Sequence, residues 1–148
     1  PETIARLSEI KNIIGVKEAT GNLVQATEMI SLCRKGFLVL SGEDALNVPL
    51  LLIGASGSIS VLANIIPDKM SQMMVEWFEC NVAKAREFHF KYYNLTQALF
   101  LETNPTPAKT AMAMMGLIEK DVRLPLFKMT DANQKKLSQV LKNYKLIK

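Results

Sequence analysis

Residues 13–22 read IIGVKEATGN, an apolar, β-branched run that ends on Lys17 before Gly21 and Asn22 open a turn. Lysine is among the residues least often fully buried unless it is paired. Lys17 therefore either caps a short strand and reaches solvent, or stands at a pocket mouth for chemistry. The run over residues 13–17 reads as a short buried strand, and its surroundings set the fold class.

Upstream, Ile4, Leu7 and Ile10 recur at three-residue spacing, which predicts an amphipathic helix over residues 3–11. Downstream, Asn22 is an N-cap residue type, and Leu23, Ala26, Met29 and Ile30 predict a helix running to Arg34, with Gly36 as its stop. Phe37 to Leu40 is a second apolar run, ending in SGED. A helical segment over residues 45–53 is bent or started late by Pro49. Residues 57–62, GSISVL, read as a third strand. Apolar strands alternating with helices indicate parallel βα units covered on both faces.

Beyond Asn64 the character changes. Pro67 and Asp68 open a helix carrying Met70, Met73, Met74 and Trp77. Asn81 caps a long helix to about Leu101, and NPTP at residues 104–107 launches another that ends at Gly116. Residues 123–126 read as extended, and a last helix spans residues 131–144 with Leu137, Val140 and Leu141 inward. We expect two regions: residues 1–64, three βα units, and residues 65–148, the final barrel helix and an all-helical C-terminal region. An α/β barrel needs eight βα units and ~250 residues, and this chain supplies fewer than half of them.

Composition narrows the function classes. The chain has 148 residues, 49% hydrophobic and 22% charged, with net charge +4 and pI about 9.1. Its basic residues are scattered and do not interleave with aromatics, so a nucleic-acid groove is not indicated. Cys33 and Cys80 lack CxxC spacing, which gives no support to a zinc site or redox pair and fits free thiols in a reducing, cytoplasmic compartment. The longest apolar run, residues 48–55, falls short of the ~20 residues needed to span a bilayer, and no signal-peptide pattern precedes it. We read the start at Pro1, in place of methionine, as processed, cloned or truncated.

In a barrel strand, side chains alternate between the interior and the helix layer. Ile13, Gly15 and Lys17 then share one face, and Gly15 leaves open space a layer below Lys17. Lys17 stands at the C-terminal end of its strand, where barrel enzymes place catalytic groups. An exposed amine of pKa ~10.4 is almost wholly protonated near neutrality, whereas burial makes a nucleophilic fraction available. A buried strand-end lysine suits imine formation with a keto acid. A lysine whose stem packs while its ammonium stays wet suits the same spacing.

GVKEATGNL at residues 15–23, LSGEDA at 40–45, GASGSISVLAN at 54–64 and NPTPAK at 104–109 occur in one order and spacing. Together they resemble the dihydrodipicolinate synthase family, within the wider superfamily of class I keto-acid aldolases that includes N-acetylneuraminate lyase. The resemblance covers the whole chain but only the C-terminal half of such an enzyme. It implies the last three parallel strands of a (β/α)8 barrel followed by helices.

That resemblance implies roles by position. Lys17 matches the lysine that forms a Schiff base with pyruvate. Ile59 matches a position whose backbone contacts the bound pyruvate, and Gly42 a strand-end glycine lining the site. Glu43 stands where the family often has aspartate and receives no role. The family's acid/base tyrosine, paired threonines, substrate-carboxylate arginine and lysine feedback site lie on the earlier half, and Tyr92, Tyr93 and Tyr144 cannot replace that tyrosine.

The implied reaction is condensation of pyruvate with aspartate semialdehyde on the route to diaminopimelate and lysine. No metal or organic cofactor and no membrane partner are implied; a homo-oligomer such as a homotetramer, or the remainder of a longer chain, is. Another pyruvate-dependent aldolase, or a non-catalytic fragment serving folding or assembly, are the alternatives, and the isolated chain is expected not to be competent alone. Among other residues, His89 and Trp77 read as packing residues, the methionines as soft core filling, and Gly54 and Gly57 as turn glycines, since GASGS lacks a phosphate-loop ending.

Overall fold

Three short parallel strands lie in the order β1 (Gly15–Glu18), β2 (Leu38–Ser41) and β3 (Gly57–Ser58) in the computed structural model, which describes residues 1–148. Lys17 pairs with Leu40 and Glu18 with Ser41, while Ser41 pairs on its other side with Ser58. The strand ends of all three are therefore in step.

Each strand differs in extent from its apolar run, for reasons of hydrogen bonding. Ile13 is held in the turn that leaves the first helix, its N–H donating to the Ile10 carbonyl at 2.9 Å, so pairing starts only when the Ile14 carbonyl accepts from Leu38 at 2.9 Å. β3 is two residues long, not the six of GSISVL. Past it, the Ile59 N–H reaches the Ser41 carbonyl at 2.7 Å, and β2 then has no further residue to offer. Leu62–Asn64 form a 3₁₀ turn instead. Gly15 also differs from expectation: a β-carbon there would stand 2.6 Å from the Leu38 carbonyl oxygen, so the glycine permits close strand approach and leaves no open space.

The chain divides into two units, Pro1–Ser60 and Val61–Lys148. In the first, helix α1 (Glu2–Ser8) stops short of residue 11 because Ser8 is engaged elsewhere. Its hydroxyl donates to the Ala5 carbonyl at 2.7 Å and accepts the Arg34 N–H at 3.1 Å, while Arg34 Nε bonds the Ser8 carbonyl. Helix α2 (Leu23–Leu32) starts where Asn22 Oδ1 accepts the Gln25 N–H at 3.1 Å. It ends at Cys33, whose backbone turns extended, so Gly36 is not its stop; Gly36 serves the next turn at φ +83°. A 3₁₀ turn over Asp44–Leu46 leads into α3 (Asn47–Leu52), where Pro49 falls in the first turn and its missing N–H has no intrahelical partner to lose. Ala26, Leu50 and Ala55 form the buried centre, with Leu23, Leu46 and Ile53 packed around it.

The second unit is helical: α4 (Pro67–Phe78), α5 (Val82–Ala98), α6 (Thr106–Met114) and α7 (Asp131–Asn143). Asn81 precedes α5 but does not cap it with its side chain; its amide donates to Glu76 Oε2 at 3.1 Å, and Lys84 pairs with Glu76 Oε1 at 2.6 Å. Those bonds close the α4–α5 hairpin. Residues 123–126 form a turn, with Leu126 N–H bonded to the Arg123 carbonyl at 3.0 Å, because Pro125 offers no N–H and a fixed φ. Leu95, Leu99, Leu137 and Leu141 are fully buried. Met70 and Met73 are in the core, while Trp77, His89, Met112, Met114 and Met115 are half-buried.

Candidate active site

Lys17, Gly42 and Ile59 come together at the C-terminal ends of β1, β2 and β3. The Gly42 N–H donates to the Glu18 carbonyl at 2.6 Å, which brings the residue after β2 alongside the end of β1. Gly42 has no positive φ; its value is space. A β-carbon on Gly42 would stand 2.6 Å from Lys17 Cε, 2.9 Å from Lys17 Cγ and 2.8 Å from Ala19 Cβ. The Lys17 stem thus runs across Gly42 and needs a residue without a side chain there. Ile59 follows one strand over, its backbone held to Ser41 and its side chain 46% exposed.

Lys17 is exposed in this chain, because the three strands leave its face uncovered. Residues 16–20, Lys17 included, line a cavity of about 180 Å³ together with Ile4, Gln25 and Met29. Glu43 acts locally: its carboxylate accepts the Ala45 N–H at 3.3 Å and starts the 3₁₀ turn.

Sequence reasoning passed over Glu18 and Thr20. Glu18 is 4% exposed, and its Oε1 accepts the Thr20 N–H at 2.8 Å and the Thr20 hydroxyl. A carboxylate on the helix-facing side of a strand, two residues before a threonine, was the available signal. The tyrosines lie in the second unit: Tyr92 and Tyr93 on α5, and Tyr144 just beyond α7 with its hydroxyl donating to the Lys91 carbonyl at 2.6 Å. No helix is long and apolar enough to cross a membrane.

Three parallel strands with in-step C-terminal ends, each joined to the next through a helix and followed by a helical region, are the C-terminal part of a (β/α)8 barrel. Comparison with known proteins narrows the class. The profile of the Dihydrodipicolinate synthetase family matches residues 1–144, and the chain belongs to that family.

The 4-hydroxy-tetrahydrodipicolinate synthase of Syntrophus aciditrophicus is 52% identical over 148 residues, covering 99% of this chain and 50% of that protein. The Thermodesulfovibrio yellowstonii protein of the same name is 47% identical, covering 100% and 51%. Among solved structures, dihydrodipicolinate synthase from Thermotoga maritima superposes with TM-score 0.95 at 41% identity, covering 99% of this chain and 51% of that one. The Aquifex aeolicus enzyme gives TM-score 0.92 at 40% identity, covering 97% and 49%. The chain spans about half the length of the curated relatives it matches.

Proposed function

We propose that the chain is the imine-forming, C-terminal portion of a lyase that condenses pyruvate with aspartate semialdehyde, on the route to diaminopimelate and lysine. The observation that carries this reading is the placement of Lys17 at a barrel strand end, laid across Gly42. The names of the similar proteins favour the synthase over N-acetylneuraminate lyase.

In this reading the unprotonated Lys17 amine adds to the pyruvate keto carbon; the carbinolamine hydroxyl then takes up a proton from a proton-transfer group and leaves as water, which gives a protonated imine. The imine withdraws electrons, so a methyl proton of pyruvate leaves and an enamine forms. The enamine carbon then attacks the aldehyde carbon. The Ile59 backbone contacts the bound pyruvate, and the Gly42 carbonyl lines the same strand-end cleft. A proton-transfer group must stand within hydrogen-bond reach of the reacting atoms, and the rest of the barrel supplies it, with the surface that buries Lys17. That remainder belongs to a longer chain or an associated one, in a cytoplasmic homo-oligomer.

Incubation of a full-length form, in which the rest of the barrel is present, with pyruvate and borohydride tests the reading. The expected result is a reduced pyruvyl group on Lys17, located by peptide mass spectrometry, and its loss in Lys17→Arg, since guanidinium stays protonated. An adduct only on other lysines, or none, overturns it.

A further inference from the structure

We propose that Glu18 is a positioning residue that holds the backbone next to Lys17 and so aims the lysine across Gly42, an inference that rests on Lys17 being the imine-forming amine. Strand alternation sends the two neighbouring side chains to opposite faces. Lys17 is exposed on one, while the Glu18 carboxylate is buried on the other. None of the chain's ion pairs involves Glu18. Burying a carboxylate without a cation is costly, and it is tolerated when hydrogen bonds satisfy the charge.

Those bonds run in one direction. Glu18 Oε1 takes both the N–H (2.8 Å) and the hydroxyl of Thr20. Thr20 Oγ1 in turn accepts the Asn22 N–H at 3.2 Å, and Asn22 Oδ1 accepts the Gln25 N–H at 3.1 Å in the first turn of α2. The carboxylate therefore starts a relay of bonds from the end of β1 to the start of α2. From the other side, the Glu18 carbonyl accepts the Gly42 N–H at 2.6 Å. The residue after Lys17 is thus tied to α2 through its side chain and to β2 through its main chain. Together the two ties fix the backbone from which the Lys17 stem leaves β1 and crosses a residue with no β-carbon.

Borohydride trapping of pyruvate on a full-length form, in which the rest of the barrel is present, read at Lys17 against pyruvate concentration, tests the proposal in wild type, Glu18→Ala, Glu18→Gln and Thr20→Val. Misaiming a reacting group by about 1 Å costs up to ~100-fold. We expect Glu18→Ala to lower the saturating rate at least ~10-fold with little change in the half-saturating pyruvate concentration. Glu18→Gln keeps an acceptor at Oε1 and recovers most of the rate. Amide exchange at Thr20 speeds up in Glu18→Ala and stays slow in Glu18→Gln.

If Glu18→Ala unfolds, Thr20→Val carries the same expectation, since it removes the hydroxyl and leaves the carboxylate in place. Wild-type rates in Glu18→Ala and Thr20→Val, or a Glu18→Gln variant as slow as the alanine one while still folded, overturn the positioning role alone. A wild-type chain that gives no adduct at Lys17 overturns the imine reading, and the positioning role with it.

Discussion

Lys17 and Gly42 occupy one another's space: the lysine stem fills the volume that any side chain at position 42 would take, with Lys17 Cε 2.6 Å from where a β-carbon would stand. The pair sits at the ends of adjacent parallel strands, joined by the Gly42 N–H to the Glu18 carbonyl. Gly42→Ala therefore pushes on the Lys17 stem, at both Cε and Cγ, and on Ala19 Cβ, all of them side-chain atoms and none of them sheet backbone. We expect stability within about 1 kcal/mol of wild type, since volume is added at a rim and not in a packed core. Trapping of pyruvate at Lys17 falls by at least ~10-fold. Denaturant melts read the first quantity and peptide mass spectrometry the second; unchanged trapping would show that Lys17 has another productive path.

Gly15→Ala has the opposite signature. Its β-carbon meets the Leu38 carbonyl oxygen at 2.6 Å and Leu38 Cβ at 2.9 Å, so β1 must move off β2. Overpacking of this kind costs about 1–3 kcal/mol. A urea melt should show the loss, and a variant as stable as wild type would mean that the strands separate without penalty.

The sheet leaves one edge of β1 and one edge of β3 unpaired, next to exposed Ile14 and Ile59. Open edges of a hydrophobic sheet invite edge-to-edge association. The 148-residue chain purified alone should therefore self-associate or aggregate in light scattering. Its turnover in a coupled assay should lie below that of a full-length relative by roughly 10²- to 10⁴-fold, the usual contribution of a placed acid/base group. Turnover near the relative's would identify a proton-transfer group within this chain.

His89 gives a pH dependence of defined sign. Burial among the helices lowers its pKa from 6.5, so the folded state binds fewer protons than the unfolded one just below that pH. Stability is full above pH ~6.5 and declines as pH falls from there toward the folded pKa. His89→Gln should flatten thermal-melt temperature across that interval; an unchanged slope assigns it to another group.

Glu102 anchors α7 in the second unit. Its Oε1 accepts from the Thr130 N–H (3.0 Å), the Thr130 hydroxyl (2.8 Å) and the Asn133 amide (2.8 Å), and these bonds lower its pKa. The stabilisation is present above the unfolded carboxylate range and is lost as pH falls through the depressed folded value. Thr130→Ala, which also removes the cap on the Asn133 N–H, should cost about 1 kcal/mol. Glu102→Ala should lower the melting temperature at neutral pH and have little effect well below the folded pKa. Equal effects at both pH values would exclude the carboxylate's charge as the cause.

The sequence by itself determined the parallel βα class, the capping of α2 by Asn22 and the placement of Lys17 at a strand end. These are local properties: apolar periodicity, turn residues and caps act over a few neighbours, and motif order travels with them. Tertiary structure decided the rest. Whether Ile13 or Gly15 begins β1, and whether β3 runs two residues or six, depends on which carbonyls β2 presents in register, and no single segment encodes its partner's length. The reasons for Gly15 and Gly42 differ in the same way. One glycine admits a neighbouring backbone and the other a neighbouring side chain, a distinction made by atoms 23 to 25 residues away in sequence. The buried Glu18 lay one residue past the strand expected over residues 13–17, and the bonds that satisfy it exist only once the chain turns from β1 into α2.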